Sequence, residues 1–314
     1  MEFRSRFILI IALEIPAIFV SVILFVYFAL NRPVSVQLKN HGWIILLIVN
    51  FLQLTLQLPM PMSYYYLNYV WSATNGYCVW WTYCEYSLNA AGLFLSAWIS
   101  IERHLIIFHA NQVFDKRWKR WIFHFIPILF CLIWGLLFYF IIVVINPWCT
   151  NVWDFNLLLC GFPCYYGNEV LSQFVFLFNL TLPSVTIILA NATLVIRVIY
   201  QKMSRQQGVN WRRHRRMVLQ LWVMSSLHLG LWLPLVTTTL IEMNIQPSFM
   251  INQLETMQFA PYFIPLFLPM ICLSSQPELM SKMKNLIRMR PMNRVSGVTY
   301  NRNAVRPMTI AIVR

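Results

Sequence analysis

Three charged residues interrupt one long apolar stretch of the chain, and their spacing suits charge-pairing chemistry. Glu85 and Arg103 are 18 residues apart, which is five full turns of an α-helix, so their side chains point the same way about 27 Å apart. Glu102 directly precedes Arg103. A charge in an apolar environment is costly and needs a partner or a function. Glu85 is therefore protonated, hydrogen-bonded to a hydroxyl or amide, or paired with a positive charge, and all three remain open.

Trp232 and Pro234, on a later apolar stretch, suit a mechanical role. Proline lacks the backbone N–H that an α-helix needs and kinks the helix that contains it. The part of the helix beyond such a kink can swing and open one end of a helix bundle. The alternative for both residues is plain packing in an apolar helix.

The positions of Lys and Arg predict the elements that hold these side chains. None lies between Arg6 and Arg32, a gap of 25 residues, and one membrane crossing needs about 20 apolar residues. Three further gaps, at residues 40–102, 121–196 and 217–281, each have room for two crossings and a loop. Together the four gaps predict seven crossings. Because cytoplasmic loops collect Lys and Arg, we expect an extracellular N-terminus and a cytoplasmic C-terminus.

The sequence thus predicts an all-α membrane protein with a seven-transmembrane helix bundle. The predicted crossings are residues 7–30, 42–62, 77–108, 121–145, 170–200, 217–243 and 256–273. Residues 1–6 form a short extracellular N-terminus in this prediction, and the seven-transmembrane bundle spans residues 7–275. Apolar residues at helical spacing predict a short amphipathic interfacial helix at 276–289, and we expect a disordered cytoplasmic tail at 290–314.

The composition agrees with a membrane protein. The chain is 59% hydrophobic and 11% charged, whereas soluble domains carry about 25% charged residues. The formal net charge of +14 falls almost entirely on the predicted inner loops and tail. There it faces anionic membrane lipid and cytosolic partners, so we expect no nucleic-acid partner.

Local motifs on the predicted helices resemble those of rhodopsin-like (class A) G-protein-coupled receptors. Glu102-Arg103-His104 resembles the Asp/Glu-Arg-Tyr motif that ends the family's third helix. Further residues match family positions in order along the chain. They are Trp71, Cys78, Trp134, Pro183, the Leu231-Trp232-Leu233-Pro234 run, which is similar to Cys-Trp-x-Pro, and Pro269, which fits the proline of Asn-Pro-x-x-Tyr. The resemblance covers about residues 7–287.

The resemblance implies a plasma-membrane receptor that activates a heterotrimeric G protein and is not an enzyme. In the family, the motif arginine pairs with its neighbouring acid at rest and meets the G protein on activation. The positions carried over to this activation switch are Glu102, Arg103, His104, Trp232, Pro234 and Pro269. A structural pair at a helix end is the alternative for Glu102 and Arg103.

The resemblance also implies an extracellular ligand bound between the helices. Glu85 occupies the place where amine receptors and several peptide receptors carry an Asp that pairs with a ligand cation. We therefore expect a cationic amine or short peptide at Glu85, with Asn89, Trp232 and Tyr262 in the same pocket. Asn89 and Tyr262 have the alternative of satisfying a hydrogen bond between helices.

Family precedent also pairs Cys78 with the loop at residues 146–169. We choose Cys164, which leaves Cys149 and Cys160 as a bridge within the loop, and Cys160 stays open as the partner of Cys78 because sequence does not give connectivity.

Departures from the family pattern indicate a divergent member, such as those of expanded invertebrate sets. Leu268 and Cys272 replace the Asn and Tyr of the seventh-helix motif, and Asn50 stands where the family usually has Asp. A hard cation needs several oxygen ligands, usually with a carboxylate, so we expect no sodium or other metal site and no cofactor. The alternative class is a multi-pass transporter or channel, whose interrupted helices the many prolines would suit.

Overall fold

The computed structural model describes residues 3–35, 37–108, 116–204, 211–244, 251–274 and 279–280. Seven long helical segments, α1 to α7, run through this part of the chain, and a longer loop at residues 146–168 lies between the fourth and the fifth. Each predicted crossing lies inside one of these segments.

Some segments are single helices and others change helix type along their length. α1 is Phe3–Leu30, α3 is Asn75–Phe108 and α6 is Trp211–Asn244. α2 comprises Leu38–Leu52, a π-helical turn Gln53–Gln57 and Pro59–Leu67; α4 comprises Arg117–Arg120, a π-helical turn Trp121–Phe125, Ile126–Tyr139 and a π-helical turn Phe140–Ile145. α5 comprises Glu169–Phe174, a π-helical turn Val175–Thr181 and Leu182–Ser204; α7 comprises Ile251–Phe259, a 3₁₀ turn Ala260–Tyr262 and Phe263–Ser274. The short elements are Arg32–Ser35, Leu158–Cys160 and Cys164–Gly167.

Six of these segments are long and apolar enough to cross a membrane within the described ranges, namely α1, α2, α4, α5, α6 and α7. α3 has 34 residues and is long enough, but it carries Glu85, Asn89, Glu102 and Arg103. These residues are buried in the bundle or line an internal cavity, where polar groups can find partners that lipid cannot supply. The crossing predicted at residues 77–108 therefore stays a prediction.

Three prolines account for three of the π-helical turns. The residue before each proline donates its N–H to a carbonyl five residues earlier: Leu58 to Gln53, Ile126 to Trp121, and Leu182 to Leu177. A proline ring clashes with the carbonyl four residues before it. The wider turn relieves that clash and keeps the helix continuous, so α2, α4 and α5 pass their prolines without ending.

α3 lies in the middle of the bundle and packs against α2, α4 and α5. α1 packs on α2 and α7, and α6 lies between α5 and α7. Gly135 allows α4 to approach α3 closely, because a Cβ atom there would lie 2.9 Å from the Ser87 carbonyl oxygen and 3.1 Å from the Ala91 nitrogen. The apolar core is built around these contacts and buries Leu95 and Ile99 of α3.

The start of α1 differs from the prediction. The helix begins at Phe3, so residues 3–6, expected in an extracellular segment, belong to α1. Arg6 is buried because its guanidinium lies 5.6 Å from the Tyr65 ring centroid and 5.4 Å from that of Phe259. It also donates to Thr256 Oγ1 at 3.2 Å. These partners stabilise a cation that the sequence pattern placed outside.

The predictions for the C-terminal part lie mostly outside the described residues. Of the interfacial helix at 276–289, the structure describes Leu279 and Met280, which are helical and pack on the core. The tail at 290–314 lies outside the described part.

The disulfide pairing corrects the choice of Cys164 for Cys78. Cys78 bonds to Cys160, the alternative left open, and Cys149 bonds to Cys164. The physical reason lies in the loop. Cys160 ends a turn that packs on the start of α3, whereas the Cys164 N–H is held by Asn151 Oδ1 at 2.9 Å, close to Cys149 at the end of α4. The loop is thus tied both to α3 and to itself.

We predict that Gly135→Ala lowers the free energy of unfolding by about 1–3 kcal/mol, because the added methyl group forces α4 away from the α3 backbone. The measurement is the Tm of the purified protein in nanodiscs. Gly230→Ala is the control, since no atom lies within 4 Å of its added Cβ, and we expect an unchanged or higher Tm. An unchanged Tm for Gly135→Ala would contradict the close helix approach.

We also predict that Cys78→Ser and Cys160→Ser each lower stability by about 2–5 kcal/mol and that the double variant is no worse than either one, because all three break the same bond. Cys149→Ser and Cys164→Ser should behave as the second such pair. The measurement is Tm together with the fraction of protein at the cell surface. If the stability losses of Cys78→Ser and Cys164→Ser were non-additive instead, the pairing of Cys78 with Cys160 would be wrong.

Candidate functional site

A cavity of about 410 Å³ lies between α3, α5, α6 and α7 and beneath the 146–168 loop. All four residues predicted to contact a ligand line it: Glu85, Asn89, Trp232 and Tyr262. Leu159 and Phe162 of the loop also face it, and the bond from Cys160 to Cys78 holds that part of the loop against α3. The volume lies within the range of small-molecule sites, about 300–1,000 Å³.

The Glu85 carboxyl group is the principal polar feature of the cavity wall. The side chain is 6% exposed, and its Oε1 accepts a hydrogen bond from Asn89 Nδ2 at 3.0 Å. Oε2 has no hydrogen-bond partner among the described residues, although the Gln57 amide and the Tyr262 hydroxyl lie beside the group. Leaving a buried oxygen without a hydrogen bond costs free energy, so an additional donor at Oε2 would stabilise the carboxyl group.

An amide relay connects Glu85 to α2. Gln53 Nε2 donates to Asn89 Oδ1 at 2.9 Å, and Asn89 in turn donates to Glu85. Gln53 belongs to the π-helical turn of α2, so the turn before Pro59 brings this side chain to α3. The relay holds the Asn89 amide in one orientation, with its Nδ2 donating to Glu85 Oε1 in the cavity wall.

Trp232 and Pro234 occupy different surroundings. Trp232 lies on the cavity wall and packs against Leu93, Ala97 and Ile187 of the neighbouring helices. It also lines a smaller cavity that it shares with Asn89, so the structure brings these two predicted residues together. Pro234 lies inside α6 with its ring exposed. Pro269 is buried inside α7, directly after Leu268, which lines the smaller cavity.

Aromatic rings supply much of the remaining wall, and the sequence reasoning did not find them. Tyr86 stacks on Tyr139 with 5.6 Å between ring centroids, and Tyr166 lies 6.4 Å from Tyr86. Asn179 of α5 also lines the cavity; it accepts from Trp134 Nε1 at 2.8 Å and donates to the Tyr139 hydroxyl at 3.3 Å. The sequence feature that could have identified Asn179 is its position four residues before Pro183, because it lies in the π-helical turn that this proline induces and its side chain lines the cavity.

The other end of α3 carries the predicted switch residues. Arg103 is 3% exposed, and its Cζ lies 6.0 Å from the ring centroid of Trp43 on α2. The Glu102 carboxyl group contacts His124 Nδ1 of α4, and His124 Nε2 lies 3.0 Å from His41 Nδ1 of α2. The sequence analysis did not identify this cluster, since 83 residues separate His41 from His124.

His104, the third residue of the switch motif, contacts α5. Its Nε2 donates to the Ala190 carbonyl oxygen at 2.7 Å and lies 3.0 Å from Thr193 Oγ1. This hydrogen bond ties the last turns of α3 to α5. The three residues of the motif therefore bind three different neighbours: Glu102 contacts α4, Arg103 lies over α2, and His104 contacts α5.

Comparison with known proteins identifies the family. No curated protein matches this sequence. The model of a family described as "7 transmembrane receptor (rhodopsin family)" matches residues 18–275, which is most of the chain and includes the cavity and both ends of α3. The resemblance seen in the motifs is confirmed, and the chain belongs to the rhodopsin family of seven-transmembrane receptors, which are multi-pass membrane proteins and not enzymes.

Proposed function

We propose that this protein is a plasma-membrane receptor that binds an extracellular cationic ligand in the cavity at Glu85 and activates a heterotrimeric G protein. In this proposal α3 is the seventh crossing, the N-terminus is extracellular, and the Arg103 end of α3 is cytosolic. The family supports the receptor class. The positions of Lys and Arg support the orientation.

One observation supports the ligand site above all others: Glu85 is buried in a cavity wall and its Oε2 lacks a hydrogen-bond donor. A cationic ligand group that reaches the Glu85 carboxyl group from the cavity would neutralise the carboxylate in a place that water cannot fully solvate. Desolvated pairs of this kind are stronger than pairs at a protein surface. Glu85 is therefore the residue on which ligand recognition depends.

The rest of the cavity wall favours a ligand of moderate size with an apolar or aromatic body. Tyr86, Tyr166 and Trp232 line the same cavity as Glu85. Electron-rich ring faces attract cations and pack well on flat apolar groups. A volume of about 410 Å³ suits a small amine or the charged end of a short peptide.

The Arg103 end supports a two-state switch. Arg103 is buried in this structure, so a cytosolic protein cannot reach its guanidinium without a rearrangement. Trp232 lies between the two ends of the bundle, on the cavity wall and two residues before Pro234. A ligand that contacts Trp232 can bias α6 about this proline, where a backbone hydrogen bond is missing.

We predict that Glu85→Gln weakens the response to a cationic agonist at least about thirtyfold, because losing one partner of a buried charge pair costs about 2 kcal/mol or more. The measurement is agonist potency in cells that carry G-protein sensors, with amine and short-peptide ligands as the panel.

Glu14→Gln is the matched control for that experiment. Glu14 is another buried carboxyl group, 7% exposed, on α1 and not among the residues that line the cavity. We expect its substitution to leave agonist potency within about threefold of wild type, since surfaces that a ligand does not touch contribute little to its binding. Equal losses for the two variants, or unchanged potency for Glu85→Gln, would remove Glu85 from the ligand site.

We predict that Arg103→Ala abolishes G-protein activation while ligand binding persists, because the arginine acts at the cytosolic end and the ligand binds about 27 Å away along α3. Sensor signal and radioligand or fluorescent-ligand binding are measured on the same cells. A full signal from Arg103→Ala at wild-type surface expression would rule out the proposed role of this residue.

A further inference from the structure

Three titratable side chains from three helices form a continuous cluster near Arg103, in which Glu102 and His124 are buried and His41 is half-buried. We call Glu102, His124 and His41 the carboxylate–histidine relay. Glu102 is 2% exposed and His124 is fully buried. Glu102 Oε1 contacts His124 Nδ1, and His124 Nε2 lies 3.0 Å from His41 Nδ1. Neither histidine belongs to the switch motif, so the motif does not explain the cluster.

The contacts restrict where protons can lie. One proton must lie between the Glu102 carboxyl group and His124 Nδ1, and a second must lie between His124 Nε2 and His41 Nδ1. His124 therefore uses both ring nitrogens, and its ring is fixed from two sides. A histidine oriented in this way by a second residue holds its first partner at a defined position.

The local backbone is adapted to the cluster. His124 belongs to the π-helical turn Trp121–Phe125 that precedes Pro127, and this turn directs its ring toward α2 and α3. On α2, Gly42 follows His41; a Cβ atom at Gly42 would lie 2.9 Å from Ile99 Cγ1 and 3.5 Å from Glu102 Oε2. The glycine lets α2 approach α3 closely enough for His41 to reach His124.

The same turn of α2 contacts both halves of the switch motif. His41 supports His124 and thereby Glu102, while Trp43 lies under the Arg103 guanidinium with 6.0 Å between Cζ and the ring centroid. Glu102 and Arg103 are thus each held by side chains from other helices. Moving α2 or α4 away from α3 would release both residues together.

From these contacts we propose that His124, supported by His41, is a positioning residue for the activation switch: it binds Glu102 in the closed arrangement and so keeps Arg103 buried. The inference rests on the proposed role of Arg103 in signalling. Contacts that exist in one state only stabilise that state, so loss of the relay shifts the population toward the open arrangement. Burial of Glu102 increases this population shift, because without His124 its carboxyl group has a buried oxygen that makes no hydrogen bond.

The test compares His124→Leu with His124→Asn in the full-length receptor. Leucine removes both ring nitrogens, whereas the asparagine amide nitrogen occupies nearly the place of Nδ1 and can still donate to Glu102. The first readout is ligand-independent G-protein activation at matched surface expression. The second is a fluorophore attached through Leu219→Cys, an exposed position on α6, in nanodiscs, which reports helix movement without any G protein.

We expect His124→Leu to raise basal activation about fivefold or more and to shift the fluorophore emission, and His124→Asn to return both toward wild type. Glu102→Gln should resemble His124→Leu, and the double variant should not exceed either single variant, because both break one contact. If His124→Leu does not reach the surface, His41→Leu, which removes only the supporting contact, should give a smaller change of the same sign.

Wild-type values for His124→Leu in both readouts would overturn the inference, and so would equal activation by His124→Leu and His124→Asn. Additive effects of Glu102→Gln and His124→Leu would also overturn it. A wild-type receptor that activates no G protein, combined with a fluorophore shift in His124→Leu, would contradict the proposed coupling while supporting the relay.

Discussion

The structure depends on one constraint: polar groups within a membrane bundle must find their partners inside the protein. Asn191 donates to Ser225 across two helices, Trp134 donates to Asn179, and the amide relay satisfies Asn89 and Gln53. Each of these pairs fixes one helix against another. Against this background, Glu85 stands out because it lines a cavity while its buried Oε2 makes no hydrogen bond with a described residue. The hydrogen bonds that stabilise the bundle and the proposed ligand site at Glu85 both follow from this need of buried polar groups for partners.

α3 connects the cavity at Glu85 to the cluster around Arg103, because it is a single helix of 34 residues with no proline. Its neighbours α2, α4 and α5 all contain π-helical turns next to prolines, and those turns bring Gln53, His124 and Asn179 to their sites. α3 therefore acts as a straight frame, while the helices around it carry the local adjustments. Such turns are frequent at functional sites in other proteins, in keeping with their places here.

Much of the architecture could be predicted from the positions of Lys and Arg, because charge is costly in lipid and its absence marks the crossings. The four cavity residues followed from motif positions along single helices. Contacts between distant parts of the chain did not: His41 and His124 look unrelated in sequence, and the choice of Cys164 over Cys160 needed the fold of the loop. The burial of Arg6 was not predicted, because a pattern of charges does not register aromatic rings that can surround a cation.

The π-helical turns have a consequence for how this receptor can change over evolution. Each turn accommodates one more residue than an α-helical turn, which rotates the following part of the helix by about 100° relative to a regular helix. Deleting a single residue from Val175–Thr181 would move Asn179 off the cavity wall while leaving the apolar character of α5 intact. Length changes of one residue inside a crossing, and not only substitutions in the cavity, can therefore alter which side chains a ligand meets.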